Sequence, residues 1–255
     1  MTSPILEVTD LVKHFGGIQA VNGCSFGVNE GEVVGLIGPN GAGKSTVVEM
    51  IAGGLRPDSG RVTLNGTDIT KHGRRRTARS GLLRTFQHAR LTTRVAAIEN
   101  VIIAEAGQRG ETLGSCLVRQ WWGKQEQEVR DRADFQLSSL GLGAKGLLLA
   151  GQLSGGEKKL LDLIRASFGG AKILVLDEPV SGVNPRLVPL ITEIVKTVTR
   201  DGGAVLLVEH NLRFVEQVCD SVLVMAEGKV LTSGSLETIR QDRRVINAYL
   251  GRRAN

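Results

Sequence analysis

The chain of 255 residues is long enough for one large domain or two small ones, and its 41% hydrophobic and 23% charged residues are ordinary for a globular protein. No apolar run approaches the ~18 residues needed to cross a bilayer, and "MTSPILEVTD" lacks the basic and apolar regions of a secretory signal, so we expect a cytosolic location. The cysteines, Cys24, Cys116 and Cys219, have no paired spacing. This argues against a disulfide framework or a zinc site and favours buried thiols.

The net charge of +6 is concentrated in one segment. Residues 71–94 carry eight Lys or Arg and no acid, whereas the rest of the chain has 24 bases against 26 acids. Such a cluster binds nucleic acid or anionic lipid in some proteins and is only a solvated face in others, and the sequence leaves both interpretations open. Aromatic residues are not interleaved with the bases as they are in single-strand binders, so we expect no nucleic acid among the partners.

The first third of the chain predicts an antiparallel layer and then a strand followed by a helix. Asn65 and Gly66, between "RVTL" and "TDIT", are a hairpin signal among short apolar runs. "VVGLIG" is a continuous apolar strand, and "KSTVVEMIAGGL" behind it has helical periodicity.

The middle and the last third differ in their periodicity. Residues 88–170 are polar and rich in helix-forming residues, which predicts an inserted helical subdomain. Farther on, buried strands such as "KILVLD" alternate with helical segments, as is typical of a mostly parallel α/β sheet. The prediction is one α/β domain in which residues 1–87 and 171–234 form the core with its antiparallel layer and residues 235–255 form a tail of two short helices.

"GPNGAGKST", residues 38–46, fits the phosphate-binding pattern G-x-x-x-x-G-K-[ST] between a predicted strand and a predicted helix. Its glycines let backbone N–H groups face a β-phosphate, Lys44 bridges the β- and γ-phosphates, and the Ser45 hydroxyl binds Mg²⁺. The loop therefore predicts binding of a nucleoside triphosphate. The candidate binding residues are Gly38, Pro39, Asn40, Gly41, Ala42, Gly43, Lys44, Ser45 and Thr46.

Acidic residues and a histidine follow two later strands. Asp177 ends "KILVLD", where α/β sheets place ligands, and we expect it to hold magnesium through water. Glu178 suits a general base for the attacking water or a residue that orients it. His210 ends "AVLLVEH", from which it can reach a γ-phosphate, although a lone histidine is more often a core residue.

"LSGGEKK", residues 153–159, starts a helical run with two glycines behind a serine. Bare backbone N–H groups at a helix start, with a hydroxyl beside them, form an anion site. Since the chain already has an explicit phosphate loop, the sequence raises the question of whose phosphate this second site holds.

Taken together, these motifs resemble the ATP-binding subunit of an ATP-binding cassette (ABC) transporter over essentially the whole chain. The resemblance includes the signature "LSGGE", Gln87 in "RTFQ", the D-loop "SGVNP" and the switch histidine His210, in the family's order. It implies a P-loop NTPase fold of ABC type and ATP as the nucleotide. It also implies that Phe15 stacks on adenine, and that Gln87 senses the magnesium or the water and moves with the helical insertion.

The same resemblance answers the question about the second site. Cassettes of this family close head to tail, which implies that Ser154, Gly155 and Gly156 hold the γ-phosphate bound to a second ABC ATPase, identical or different. The insertion would receive the coupling helix of a transmembrane permease subunit.

A narrower resemblance is to the branched-chain (hydrophobic) amino acid importers, carried by "RTFQ" with "IENV", "DEPVSGVNP" and "VINAYLG". It implies an import ATPase, peripheral on the inner face of the cell membrane, which a substrate-binding protein serves indirectly. One alternative is a lipid or lipopolysaccharide exporter, against which "RTFQ" and the long insertion argue. Another is an ABC switch protein acting on ribosomes or nucleic acid.

Two residues depart from the common family pattern. Glu157 stands where many members have glutamine, and its charge near the γ-phosphate site is expected to slow closure unless Lys158 or Lys159 compensates. Asn184 stands where many members have aspartate, which weakens one contact across the dimer.

Overall fold

The computed structural model describes residues 3–85, 91–105 and 123–250. The chain forms two compact units. The first consists of Met1–Arg84, Lys172–Val180 and Val195–Asn255, and the second of Thr85–Ala171 and Ser181–Ile194.

The first unit contains two β-sheets. In chain order, the strands are β1 (Leu6–Phe15), β2 (Ile18–Val28), β3 (Val33–Ile37), β4 (Ser59–Leu64), β5 (Thr67–Asp68), β6 (Leu82–Arg84), β7 (Ile173–Asp177), β8 (Ala204–Val208), β9 (Ser221–Ala226) and β10 (Lys229–Gly234). Four strands form a sheet in the order β2-β1-β4-β5, and the other six form a sheet in the order β10-β9-β3-β8-β7-β6. The smaller sheet is antiparallel, whereas in the larger one only the edge strand β10 is antiparallel. The predicted α/β class, with a parallel core sheet and an antiparallel layer, is confirmed.

The predicted hairpin at Asn65 and Gly66 joins β4 to β5. Both turn residues have positive φ, 47° and 72°, as the tightest two-residue hairpin requires. Asparagine and glycine tolerate this conformation best, which is why the dipeptide predicted the turn correctly.

Nine α-helices lie in the described part of the chain. They are α1 (Lys44–Ile51), α2 (Arg74–Arg79), α3 (Ala97–Ile102), α4 (Gly123–Ser139), α5 (Gly155–Phe168), α6 (Val188–Arg200), α7 (Leu212–Val218), α8 (Leu236–Gln241) and α9 (Arg243–Leu250). The last two are the short helices expected at the end of the chain. No helix in the described ranges is long and apolar enough to cross a membrane.

The core of the first unit lies around the central strands. Every residue of β3, β7 and β8 is buried, because parallel strands are covered on both faces. The carboxyl ends of these strands lie at one edge of the sheet, and the chain leaves them at Gly38, Glu178 and Glu209. The candidate functional residues of the first unit lie at this edge of the sheet.

The second unit has a helical core. In α4, Val129, Ala133 and Leu137 recur every fourth residue and are buried, so one stripe of an otherwise polar helix faces inward. In α5, Leu160 and Ile164 repeat the same spacing.

Candidate functional site

The phosphate loop follows β3 and is shaped by its glycines. Gly38 and Gly43 have φ of 148° and 99°. A Cβ at Gly38 would collide with the carbonyl oxygen of Met225, and one at Gly43 would lie 2.5 Å from that of Ala20. Because no side chain fits at either position, only glycine allows the loop to take this path.

The loop leads into α1, which begins without a side-chain cap. The first N–H groups of the helix are therefore left for an external acceptor, as in sites that bind phosphate. Lys44 folds back over the loop, and its Nζ donates to the carbonyl oxygens of Gly38 at 2.7 Å and Pro39 at 3.1 Å. Ser45 is exposed and Thr46 is half-buried. This arrangement suits the phosphates of a nucleotide.

Asp177 ends β7 with its carboxylate held by an arginine. Arg84, at the end of the adjacent strand β6, donates from Nη2 to Oδ2 of Asp177 at 3.1 Å, and both side chains are about nine-tenths buried. Its Nη1 contacts Glu49 on α1. Partial burial opposes ionisation of Glu49, but hydrogen bonds from Arg84 and Arg74 outweigh it and lower the pKa of this carboxyl. Arg84 thus joins α1, β6 and β7.

Sequence reasoning did not find this role for Arg84, which it counted in the basic segment 71–94 and quoted in "RTFQ" without a role. The charge of Arg84 is neutralised inside the first unit instead of lying on a basic surface. A usable signal was present, because an arginine ends a strand at the same sheet edge as the acidic strand.

Glu178 and His210 lie close together. The imidazole Nδ1 of His210 is 3.5 Å from Oε1 of Glu178. Glu178 has a φ of 48°, unusual for a residue other than glycine, and its backbone N–H donates to the carbonyl oxygen of Val208 at 2.9 Å. The His210 side chain is 68% exposed, so the alternative of a core histidine is wrong.

Between β8 and His210 lies Glu209, a fully buried acid that sequence reasoning passed over. Its carboxylate accepts hydrogen bonds from the backbone N–H groups of Val180, His210 and Asn211. The sequence did contain a signal for Glu209, because an acidic residue directly follows the five apolar residues of β8.

In the second unit, the signature residues start α5 with a capping box. The Ser154 hydroxyl accepts from the N–H of Glu157 at 3.4 Å, and the Glu157 carboxylate accepts from the N–H of Ser154 at 3.0 Å. Lys145 also donates to this carboxylate. The hydrogen bond from Lys145, followed by that from Ser154, lowers the pKa of Glu157 to about 2.

This contact corrects the expectation that Lys158 or Lys159 would compensate the charge of Glu157. Lys145, twelve residues earlier in the chain, is the residue that pairs with it. The Nζ of Lys159 instead donates to the carbonyl oxygen of Ser181 at 2.9 Å. The two helix residues follow Glu157 directly and so lie around the helix from it, whereas Lys145, at the end of a short 3₁₀ helix (Gly143–Lys145), approaches it from outside.

The glycines of the signature are not equally constrained. A Cβ added to Gly155 meets no atom within 4 Å, whereas one added to Gly156 lies 3.0 Å from Cδ1 of Leu187. Neither has positive φ. The fold of the second unit therefore does not require a glycine at position 155.

Three further residues were predicted from the family resemblance: Phe15, Asn184 and Gln87. Phe15 is 49% exposed at the end of β1, with Nζ of Lys13 5.9 Å from its ring centroid, so it is not a core phenylalanine. Asn184 accepts a hydrogen bond from the N–H of Arg186 at 3.0 Å. Gln87 lies outside the described residues.

Tyr249 on α9 was not predicted to lie near the site. Burial raises the pKa of its phenol, whose oxygen accepts a hydrogen bond from the backbone N–H of Gly38. The final helix of the described chain thereby contacts the start of the phosphate loop.

A phosphate loop behind one strand of a parallel sheet, an acid pair behind a second and a histidine behind a third define a P-loop nucleoside triphosphatase. Residues 21–181 match the ABC transporter family, and the chain belongs to this family. The predicted ABC-type fold, ATP binding and ATPase class are thereby confirmed.

Individual relatives match nearly the full chain. A probable branched-chain amino acid transport ATP-binding protein of Archaeoglobus fulgidus is 37% identical, over 97% of this chain and 95% of its own length. A high-affinity branched-chain amino acid transport ATP-binding protein of Salmonella typhimurium is 36% identical, over 98% of this chain and 99% of its own length. Among solved structures, a nucleotide-free ATP-binding cassette from an ABC transporter has a TM-score of 0.81 at 34% identity, covering 97% of this chain and 99% of that one.

Proposed function

We propose that this chain is the ATP-hydrolysing subunit of an importer of branched-chain or other hydrophobic amino acids, or of related small solutes. The near full-length similarity to proteins named for branched-chain amino acid transport supports this substrate class. The ATPase itself is supported by one observation above all, the 3.5 Å approach of Glu178 to His210 at the carboxyl edge of the parallel sheet.

The phosphate loop would bind ATP through the backbone N–H groups of residues 38–46. Lys44 would turn from the carbonyl oxygens of Gly38 and Pro39 to the β- and γ-phosphates, exchanging two neutral acceptors for charged ones. The exposed ring of Phe15 is suited to stacking on adenine.

Oxygen donors suit the magnesium that accompanies ATP. The fit rests on Ser45 at the uncapped start of α1 and on the carboxylate of Asp177, and Gln87 would complete the set. Bound Mg²⁺ supplies neutralisation of phosphate charge in such sites. In the described residues no three His, Cys, Asp or Glu side chains cluster as a metal site, so phosphate and water oxygens would supply the remaining ligands.

Glu178 would accept a proton from the attacking water or orient it. The left-handed backbone at Glu178 directs this carboxylate differently from an ordinary residue after a strand, and such a conformation persists only where the surroundings hold it. His210 beside it would donate to the γ-phosphate and report its presence.

Ser154, Gly155 and Gly156 would bind the γ-phosphate held by a second ABC ATPase, identical or different. The Ser154 hydroxyl already accepts from Glu157, so its own proton remains available to an anion. Pairing would take place on transmembrane permease subunits, at the inner, cytoplasmic face of the cell membrane, with a substrate-binding protein acting indirectly.

The test of the ATPase is Glu178→Gln, with the exposed Glu237→Gln as control. We expect Glu178→Gln to bind ATP and to lose at least about 100-fold in hydrolysis, because the amide is no base. Size-exclusion chromatography with light scattering should show an ATP- and Mg²⁺-dependent dimer. A persistent monomer with tight ATP binding would identify an obligate pair with a different cassette, and normal hydrolysis would contradict the role of Glu178.

The import proposal is tested by uptake of labelled leucine, isoleucine and valine. Cells in which Glu178→Gln replaces the wild-type chain should lose the uptake that the wild type supports. If uptake of all three is unchanged, the substrate class is wrong while the ATPase assignment stands.

A further inference from the structure

The buried carboxylate of Glu209 ties together the two chain segments that carry Glu178 and His210. Its side chain is 0% exposed. Oε1 accepts from the N–H of Val180 at 3.3 Å, and Oε2 accepts from the N–H groups of His210 at 3.0 Å and Asn211 at 3.1 Å. A buried carboxylate is costly unless hydrogen bonds replace its water, and these backbone donors do so.

Each oxygen of Glu209 serves a different segment. Val180 lies two residues after Glu178 in the chain that leaves β7, whereas His210 and Asn211 begin the chain that leaves β8. The carboxylate therefore bridges the segment that follows β7 and the segment that follows β8. The backbone N–H of Glu178 also donates to the carbonyl oxygen of Val208. The Glu209 carboxylate is thus a second connection between these segments, and the two together fix the distance between Glu178 and His210.

The bridge also explains how an unfavourable backbone is kept. Glu178 has a φ of 48°, a left-handed conformation that is unfavourable for a residue with a Cβ. Anchoring the chain on both sides of Glu178, through the β7 ladder and through Val180, prevents relaxation to an ordinary conformation.

We propose that Glu209 is a positioning residue for ATP hydrolysis, holding Glu178 and His210 at their working separation. This rests on the roles proposed for these two residues. A carboxylate is required because it alone has two acceptor oxygens. A glutamine in its place presents –NH₂ either to the N–H of Val180 or to those of His210 and Asn211, and so breaks the bridge in both orientations.

The experiment compares Glu209→Gln with Glu32→Gln in the full-length chain. Glu32 is a matched control, because its carboxylate accepts from the N–H and side-chain amide of Asn29 and from the Ser221 hydroxyl, beside the amino ends of β3 and β9. We expect Glu209→Gln to lower kcat about 10- to 100-fold with the dissociation constant of ATP within about twofold, as misplaced catalytic groups do. Glu32→Gln should keep the wild-type kcat. Glu209→Asp, which retains two oxygens, should recover part of the loss.

A double-mutant cycle with His210→Ala separates positioning from general stability. If Glu209 acts through His210 and Glu178, the effect of Glu209→Gln on kcat should be much smaller in the His210→Ala background. Equal effects in both backgrounds, or an equal loss in Glu32→Gln, would overturn the proposal.

Hydrogen exchange provides a readout that does not depend on turnover. Peptides covering residues 178–181 and 209–212 should exchange faster in Glu209→Gln and not in Glu32→Gln. Unchanged exchange there would overturn the bridge, even if Glu209→Gln failed to hydrolyse ATP. If Glu178→Gln and His210→Ala both hydrolyse normally, it is the proposed function that fails. If they lose hydrolysis and Glu209→Gln does not, only the positioning role fails.

Discussion

The starts of α1 and α5 both carry glycines, and they are built in opposite ways. At α1, the fold forces the glycines, because Gly38 and Gly43 have left-handed φ and no room for a side chain. At α5, Gly155 has an ordinary φ and open space around it, and the helix is already completed by the capping box of Ser154 and Glu157. The chain itself explains Gly38 and Gly43, whereas nothing within the second unit requires a glycine at position 155.

The difference indicates how each of the two proposed anion sites is completed. The path of the loop before α1 is fixed within the chain, by glycines that leave no room for side chains. The start of α5 presents an open surface, on which a small residue matters only if something from outside approaches closely. This is what the proposed site shared with a second cassette requires.

The largest effect is expected from Ser154→Arg set against Lys44→Ala. Lys44→Ala should weaken ATP binding to the monomer about 10- to 100-fold, because it removes a charged hydrogen-bond donor. Ser154→Arg should leave that binding within about twofold yet reduce turnover at least about 100-fold, because it blocks only the outer site. Nucleotide titration and phosphate release measure the two quantities. Unchanged turnover in Ser154→Arg would contradict a site shared between chains.

Stability should distinguish Gly43→Ala from Gly155→Ala. The first places a Cβ 2.5 Å from a carbonyl oxygen at a φ of 99°, so a loss of at least about 2 kcal/mol in the free energy of unfolding is expected. The second should be neutral or stabilising by up to about 1 kcal/mol, since alanine favours a helix. Urea denaturation of both variants checks this. Similar losses would show that the two glycines share a structural role.

Glu157→Gln tests whether the capping box and its ion pair with Lys145 stabilise the start of α5. The folded-state pKa of Glu157 is about 2, below the ordinary value of 4.5. Its contribution to the free energy of unfolding is therefore present above pH 4.5 and is lost as the pH falls toward 2. At pH 7 the variant should be less stable by about 1 kcal/mol, and the difference should shrink below pH 4.5. Lys145→Gln should reproduce the loss at pH 7. A difference that does not change with pH would show that the ion pair contributes nothing.

The smallest effect is expected from Tyr249→Phe. It removes the acceptor for the N–H of Gly38, which should lower stability by about 1 kcal/mol. The ring remains in the variant, so its packing is preserved. No change in thermal unfolding would show that the phosphate loop needs no support from α9.

Sequence reasoning found the parts of the site that depend on neighbouring residues. The phosphate loop, the Asn65-Gly66 hairpin and the buried strands β3, β7 and β8 were all predicted because local periodicity and turn chemistry determine them.

It missed the pairs made by tertiary structure. Arg84 lies 93 residues from Asp177, and Glu209 lies 29 residues from Val180. Sequence gives no measure of which strand ends meet until the strand order is known. The partner of Glu157 was misassigned for the same reason, since the lysine that pairs with it lies twelve residues earlier in the chain.

The two thiols that the structure describes offer a practical consequence. Burial raises the pKa of Cys24 and that of Cys219 to about 12, so both thiols stay protonated at neutral pH. Maleimide dyes react with thiolates and should therefore label neither residue. With Cys116 replaced by serine, a single cysteine introduced at the open Gly155 position would carry a fluorophore and report, by its change in emission, when a second cassette arrives.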